Sequence, residues 1–382
     1  MQCTHYSQTA VAGRRGRLLP QRLSHKVRSS TLWMVIFLSA CLLSGCGGGG
    51  SSSQAPTSGP IGDQPAAQPD ADADADTSPA AEFTALQWDL QRVEASQVGQ
   101  NQDDVDAILD HVFTDQATQA VLVSKNGYVI GERYADGYNR ESKGTSWSVA
   151  KSFYSAAVGV AIDEGLLPSV DFAVSTLLTE WADSDKQDIT LKQVLQMRSG
   201  YPEQDNIFFA ADQTASAIGQ PLQQPDNWVY SNSNAQLFAP IIQRATGMNA
   251  HEFLSSRILQ PIGIDPNDVG FWLDASATNP MTYCCLDMLP DDFLKFGLLY
   301  ARGGSWRDKQ IVSAAYVAES LTANGFYGYQ WWVFNANYFG AAPAVELVSA
   351  LGLDGQRIML WPEQDVVVVV LTQYQHFASQ GY

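Results

Sequence analysis

One tetrapeptide, Ser148-Val149-Ala150-Lys151, puts a nucleophile and a base within one turn of chain, and it is the sequence's only Ser-x-x-Lys. A serine hydroxyl attacks a carbonyl only when a base takes its proton. A lysine amine is such a base once burial or a neighbouring cation lowers its pKa. The run Trp147 to Phe153 reads as a helix start. Residues three apart share a helix face, so both side chains project into one site. A helix N-terminus also offers N–H groups to a developing oxyanion. About one such tetrapeptide arises by chance in a chain this long. The alternative is a helix start capped by Ser148, with Lys151 in solvent.

Two later stretches bear on that choice. Trp228-Val229-Tyr230-Ser231-Asn232 contains the one Tyr-x-Asn, just before a helical pattern. A tyrosine beside a lysine ammonium can lose its proton far below its reference pKa of about 10 and relay protons. The Asn232 amide can hold Lys151 and a substrate carbonyl. Here the alternative is a turn, with Asn232 as helix cap and Tyr230 as packing. Ala350-Leu351-Gly352-Leu353-Asp354-Gly355-Gln356 lies between two strand-like runs. Its glycines permit close approach of a ligand to backbone. The Leu353 N–H could then face the Ser148 N–H as an oxyanion hole; otherwise the stretch is a strand bend.

Together and in this order, the three stretches resemble the serine β-lactamase-like superfamily, class C branch. Trp228-Val-Tyr-Ser-Asn, Asp292-Phe-Leu-Lys-Phe-Gly-Leu-Leu-Tyr and Tyr327-Gly-Tyr-Gln-Trp-Trp look like its esterase and aminohexanoate-dimer (nylon-oligomer) hydrolase relatives. The resemblance covers about residues 100–372. It implies an α/β/α sandwich, an antiparallel sheet flanked by helices, with an inserted all-α subdomain and the active site between them. It implies Ser148 as acylated nucleophile, Lys151 and Tyr230 sharing base and acid duty, and Asn232 positioning groups. Amides of Ser148 and Leu353, beside Gly352, would form the oxyanion hole, with no metal or organic cofactor. The implied activity is hydrolysis of ester or amide bonds in small neutral substrates. A β-lactamase or a peptidoglycan DD-peptidase is the nearer alternative. A catalytically inactive, lipid-anchored binding protein is the alternative of another class. A Ser-His-Asp hydrolase finds little support, since there is no Gly-x-Ser-x-Gly and His111, His251 and His376 lie outside any motif.

Two departures from the family stand out. Its third motif often begins with Lys or His, where this chain has Ala350. Relatives usually add a long C-terminal helix, whereas ten residues follow Thr372. Tyr201, Phe208, Phe209, Trp331 and Trp332 are candidates for an apolar acyl pocket, or equally for core.

The elements that must position these residues begin near Glu82. Helical spacing of Val105, Ile108, Leu109 and Val112 predicts a helix over 102–115, and Asn126-Gly127 predicts a hairpin over 119–134. Helices are expected from Ser148 to Gly165, Thr190 to Met197, Ser233 to Ala245, Asn249 to Leu259 and over 290–302. Strands are expected from Gly328, Val345, Gln356 and Val366 onward. Short connections between them imply antiparallel pairing. Residues 82–382 thus read as one hydrolase domain, with a helical subdomain over about 166–282.

The first 81 residues differ in kind. Basic residues over 14–28 precede the apolar run 32–43 and Leu43-Ser44-Gly45-Cys46. That order is a secretory signal, too short for a comfortable membrane span, and its end resembles a bacterial lipobox. Residues 1–45 are therefore expected to be a lipoprotein signal peptide and Cys46 the lipidated N-terminus. Residues 46–81 would be a flexible tether, reaching roughly 30 Å. The expected location is the periplasmic face of an outer membrane, or the cell surface. The chain has 22 basic and 40 acidic residues; less the six basic residues of the leader, 16 face 40, a net of −24. So acidic a domain excludes nucleic acid as partner and leaves the lipid anchor as the route to a membrane. Expected partners are a small ester or amide substrate and that membrane; composition leaves the oligomeric state open. Cys284 and Cys285 are the only cysteines of the folded part, and are expected as two buried thiols because a disulfide between neighbours is sterically strained.

Overall fold

The hairpin turn Asn126-Gly127 takes left-handed φ at both residues (53° and 80°), as a two-residue primed turn requires. It joins β1 (Thr118–Lys125) to β2 (Tyr128–Tyr134). The computed structural model describes residues 86–202, 207–224, 226–343 and 346–374. The leader, Cys46, the tether and His376 lie outside them. Three short strands, β3 (Gly144–Thr145), β4 (Gly270–Phe271) and β5 (Leu286–Met288), form a small sheet in the order β3-β5-β4, which the sequence pattern had not indicated. β6 (Ser305–Trp306) and β7 (Lys309–Gln310) make a minor hairpin. β8 (Trp332–Phe334), β9 (Leu347–Leu351), β10 (Arg357–Trp361) and β11 (Val366–Thr372) complete the main sheet. Its order is β2-β1-β11-β10-β9-β8, antiparallel throughout.

Strand alternation divides the core into two layers. Leu122, Val367, Val369 and Leu371 face inward, toward α2 (Ala150–Asp163) and α8 (Pro290–Ala301). Val121, Val123, Val366, Val368 and Val370 face the other way, under α1 (Gln102–Val112). α1 buries Val105, Ile108, Leu109 and Val112, each worth roughly 1.5–3 kcal/mol. Gly297 lets α8 lie close on the sheet: a Cβ there would stand 2.6 Å from Val367 Cγ1 and 2.8 Å from Ile358 Cγ2.

Helices predominate between α2 and β5: α3 (Leu191–Leu195), α4 (Gln213–Gly219), α5 (Asn232–Gln236), α6 (Phe238–Thr246) and α7 (Ala250–Leu254). The helix expected over 233–245 is thus two, because Pro240 has no N–H for the Gln236 carbonyl and its ring crowds that oxygen. The one expected from Asn249 to Leu259 passes into a π turn after Leu254. The strand expected from Gly328 shortens to β8, with Gln330 in a left-handed conformation just before it. Among the described residues no helix is long and apolar enough to cross a membrane.

His251 is a structural group. It is 8% exposed on α7, between Tyr154 and Trp272. Its Nε2 lies 2.9 Å from the Trp272 carbonyl, which can only accept, so Nδ1 accepts from the Tyr154 hydroxyl at 2.6 Å. Burial lowers its pKa to about 4, because a charge there would lack water. Between pH 6.5 and about 4 the unfolded chain binds a proton that the fold refuses. This group's contribution is therefore full above pH 6.5, falls as pH drops through that window, and levels off below about 4. The loss is on the order of 3 kcal/mol. Denaturant titrations of wild type and His251→Gln should converge as pH falls from 7 to 4. Parallel pH dependences would show that His251 titrates normally.

Candidate active site

Ser148 sits in a tight 3₁₀ turn, Trp147–Val149, that leads into α2. Trp147 is left-handed (φ 42°), and the turn is tied to β5 by two bonds. Ser146 N donates to the Leu286 carbonyl (2.9 Å), and Leu286 N donates to Ser146 Oγ (2.8 Å). Lys151 lies one turn on and is 1% exposed. Its Nζ is 2.9 Å from Ser148 Oγ, 2.9 Å from Asn232 Oδ1 and 2.7 Å from the Tyr283 carbonyl. Lys151 is therefore not in solvent. Nor is Asn232 a cap: Ser231 caps α5 by accepting from Asn234 N, which leaves the Asn232 side chain for Lys151.

Tyr230 reaches the same place from the segment before α5, its ring stacked on Trp332 at 5.8 Å between centroids. Its expected acidity is reversed. Burial pushes the phenol up to about 12, offset in part by a hydrogen bond with Ser148. Lys151 Nζ lies over the Tyr230 ring, 5.0 Å from its centroid, and so faces the π cloud. At neutral pH Tyr230 is a proton donor.

The edge of β9 closes the site. Gly352 passes so near the Ser148 turn that a Cβ on it would stand 2.5 Å from the Ser146 carbonyl oxygen. Gly352 and Leu353 therefore lie beside Ser148. Among the described residues, no backbone hydrogen bond outside the regular ladders uses the N–H of Ser148 or of Leu353. Ala350 is fully buried in the inner core, and its methyl does not reach the cleft. Asp354 does reach it, in a left-handed conformation (φ 62°).

These residues line a cleft of about 620 Å³. Of the five aromatics expected there, Phe208 and Trp332 line it. Tyr201 and Trp331 are core instead, and Phe209 is 84% exposed. Trp147, Tyr283 and Tyr374 complete the aromatic walls and were not foreseen as such; Trp147 adjoins the Ser148 motif, and the other two lie in no recognisable motif position. Tyr283 is the functional residue most clearly missed, because it acts through its carbonyl and any side chain could supply one. Cys284 also lines the cleft and is disulfide-bonded to Cys285, contrary to the expected pair of thiols. The left-handed Cys285 (φ 105°) brings the neighbouring sulfurs together. Among the described residues, no cluster of three or more His, Cys, Asp or Glu is arranged to hold a metal. His111 lies on α1 and His251 is engaged by Tyr154 and Trp272, so neither serves Ser148.

The beta-lactamase family model matches residues 105–381, and the chain belongs to that family, whose members are serine hydrolases. The chain is 24% identical over 307 residues to 6-aminohexanoate-dimer hydrolase of Paenarthrobacter ureafaciens, covering 70% of this chain and 75% of the relative. A class C beta-lactamase from Rhodobacter sphaeroides shares the fold at TM-score 0.55 and 16% identity, over 70% of this chain and 93% of that one. A family VIII carboxylesterase does so at TM-score 0.55 and 16% identity, over 70% and 90%.

The disulfide has a direct chemical test. Alkylation of denatured protein without reductant should leave Cys284 and Cys285 unmodified, and prior reduction should expose both. Two modified thiols without reductant would restore the free pair.

Proposed function

We propose that this chain cleaves ester or amide bonds of small substrates through an acyl-enzyme on Ser148. The observation that carries this is the three-way seat of Lys151 Nζ. Asn232 Oδ1 and the Tyr283 carbonyl accept the two N–H bonds of a neutral amine. Its lone pair then points at the Ser148 hydroxyl. Ser148 Oγ attacks the substrate carbonyl as its proton passes to Lys151. The N–H groups of Ser148 and Leu353 stabilise the oxyanion. Tyr230, a neutral phenol beside Ser148, protonates the departing alkoxide or amine. Water then takes the leaving group's place, and the same groups run the steps in reverse to release the acid.

The substrate reading rests on the cleft walls. They are largely aromatic, and the charged side chain among the described residues that line them is Asp354. With a buried methyl at Ala350 and a carboxylate at Asp354, an anionic substrate gains no partner and meets repulsion. Esters and amides without a carboxylate suit the site better than penicillins, cephalosporins or peptidoglycan stems. A neighbour named as a carboxylesterase agrees with ester cleavage, and a relative named as a 6-aminohexanoate-dimer hydrolase with amide cleavage.

The test is a panel of short p-nitrophenyl esters, anilides and β-lactams. Ester hydrolysis is expected, with weak or absent β-lactam turnover. Ser148→Ala should lose at least a thousandfold in kcat, and Tyr230→Phe roughly 10²–10³-fold, with folding intact. Wild-type turnover by Ser148→Ala would refute the mechanism. Efficient β-lactam turnover without esterase activity would move the assignment to a β-lactamase.

For location, we propose that Cys46 is acylated and tethers the hydrolase through residues 46–81 to the periplasmic face of an outer membrane or to the cell surface. Several acyl chains, at about 0.8 kcal/mol per CH₂, make such anchoring stable. Metabolic palmitate labelling should mark the wild type and not Cys46→Ser; equal labelling would remove the anchor.

A further inference from the structure

Asp354 is the one charged side chain among the described residues lining the cleft. Six of the residues that line the cleft with it are aromatic: Trp147, Phe208, Tyr230, Tyr283, Trp332 and Tyr374. Asp354 is only half-buried, and among the described residues no hydrogen bond or ion pair engages its carboxylate. Its backbone is held in the left-handed region, where a non-glycine residue costs energy. The strained turn holds that carboxylate next to Leu353, whose N–H flanks the reacting carbonyl.

An unpaired carboxylate in a cleft with aromatic walls offers a seat to a cation. Ring faces attract ammonium groups when within about 6 Å of the centroid. A half-buried carboxylate adds a charge pair that water only partly screens. The acidic domain raises the local concentration of cations further. We propose that the cleft selects substrates carrying a positively charged ammonium group, with Asp354 as the residue that confers the preference. This deepens the ester and amide reading and rests on it.

Asp354 directly follows Leu353 and lines the same cleft as Ser148, so the matching charge on a substrate is set back from the scissile carbonyl by a short spacer. Three methylenes, spanning roughly 5 Å, supply such a spacer.

Two p-nitrophenyl esters test this: the γ-(trimethylammonio)butyrate and its uncharged carbon isostere, which has the same shape with carbon in place of nitrogen. The permanent charge removes any ambiguity from substrate titration. Wild type should favour the cation roughly three- to tenfold in kcat/KM, and the preference should shrink as salt is raised. The cation-to-neutral ratio should fall to near one in Asp354→Asn and below one in Asp354→Lys. Asparagine tolerates the left-handed conformation, so the first variant keeps the turn. Hydrolysis of both esters at equal rates by wild type would overturn the selection and leave the acyl-enzyme reading standing. A preference that survives in both variants would remove Asp354 as its source. Hydrolysis of neither ester, with Ser148 inert to a fluorophosphonate probe, would overturn the mechanism and the selection together.

Discussion

The structure turns on one nitrogen. Lys151 Nζ is seated by three oxygens from three separate segments: Ser148 Oγ one turn away, Asn232 Oδ1 from the helical region and the Tyr283 carbonyl before β5. A buried amine is tolerable only when its polar bonds are satisfied, so the seat constrains all three segments at once. The rest of the fold can be read as what holds them there. α2 is buried along nearly its whole length, which fixes Lys151. Ser231 caps α5 and so frees Asn232. The reciprocal bonds between Ser146 and Leu286 tie the Ser148 turn to the strand that follows Tyr283.

The second constraint is the approach of the sheet edge. The proposed oxyanion site needs two N–H groups on one side of the reacting carbon, one from the Ser148 turn and the other from the loop after β9. That loop approaches because Gly352 has no side chain to collide with the Ser146 carbonyl. Beyond that contact the chain turns left-handed at Asp354 and Gly355 to enter β10. The same turn that places Leu353 beside Ser148 thus carries a carboxylate to the cleft, so the proposed oxyanion site and the proposed charge preference share one piece of backbone.

Much of this was legible in the sequence. The Asn126-Gly127 hairpin, the valine run of β11 and the apolar face of α1 have strong local periods, and each formed as its pattern indicates. Ser148, Lys151, Tyr230 and Asn232 come together because two short motifs carried their side-chain identities. What was not legible depends on backbone or on tertiary neighbours. The Tyr283 carbonyl has no side-chain signature. The three-stranded sheet is built from strands of two or three residues, too short for a period. Tyr230 is less acidic than its proximity to Lys151 implied, because burial disfavours the phenolate, while Lys151 Nζ lies over the ring. The Cys284–Cys285 bond depends on the left-handed backbone at Cys285, a conformation a sequence rarely announces for a non-glycine residue. Trp331 and Trp332 are adjacent, yet one is core and the other cleft, since neighbours on an extended chain point opposite ways.

The central claim is that Lys151, in its three-oxygen seat, makes Ser148 the atom that carries the acyl group. Rapid quench of the native protein with a slowly released ester, followed by peptide mass spectrometry, measures that directly. The adduct is expected on the peptide containing Ser148, at close to one per chain, and is expected to vanish in Lys151→Met while the folded state persists. An adduct on any other residue, or undiminished acylation of Ser148 in Lys151→Met, would contradict it.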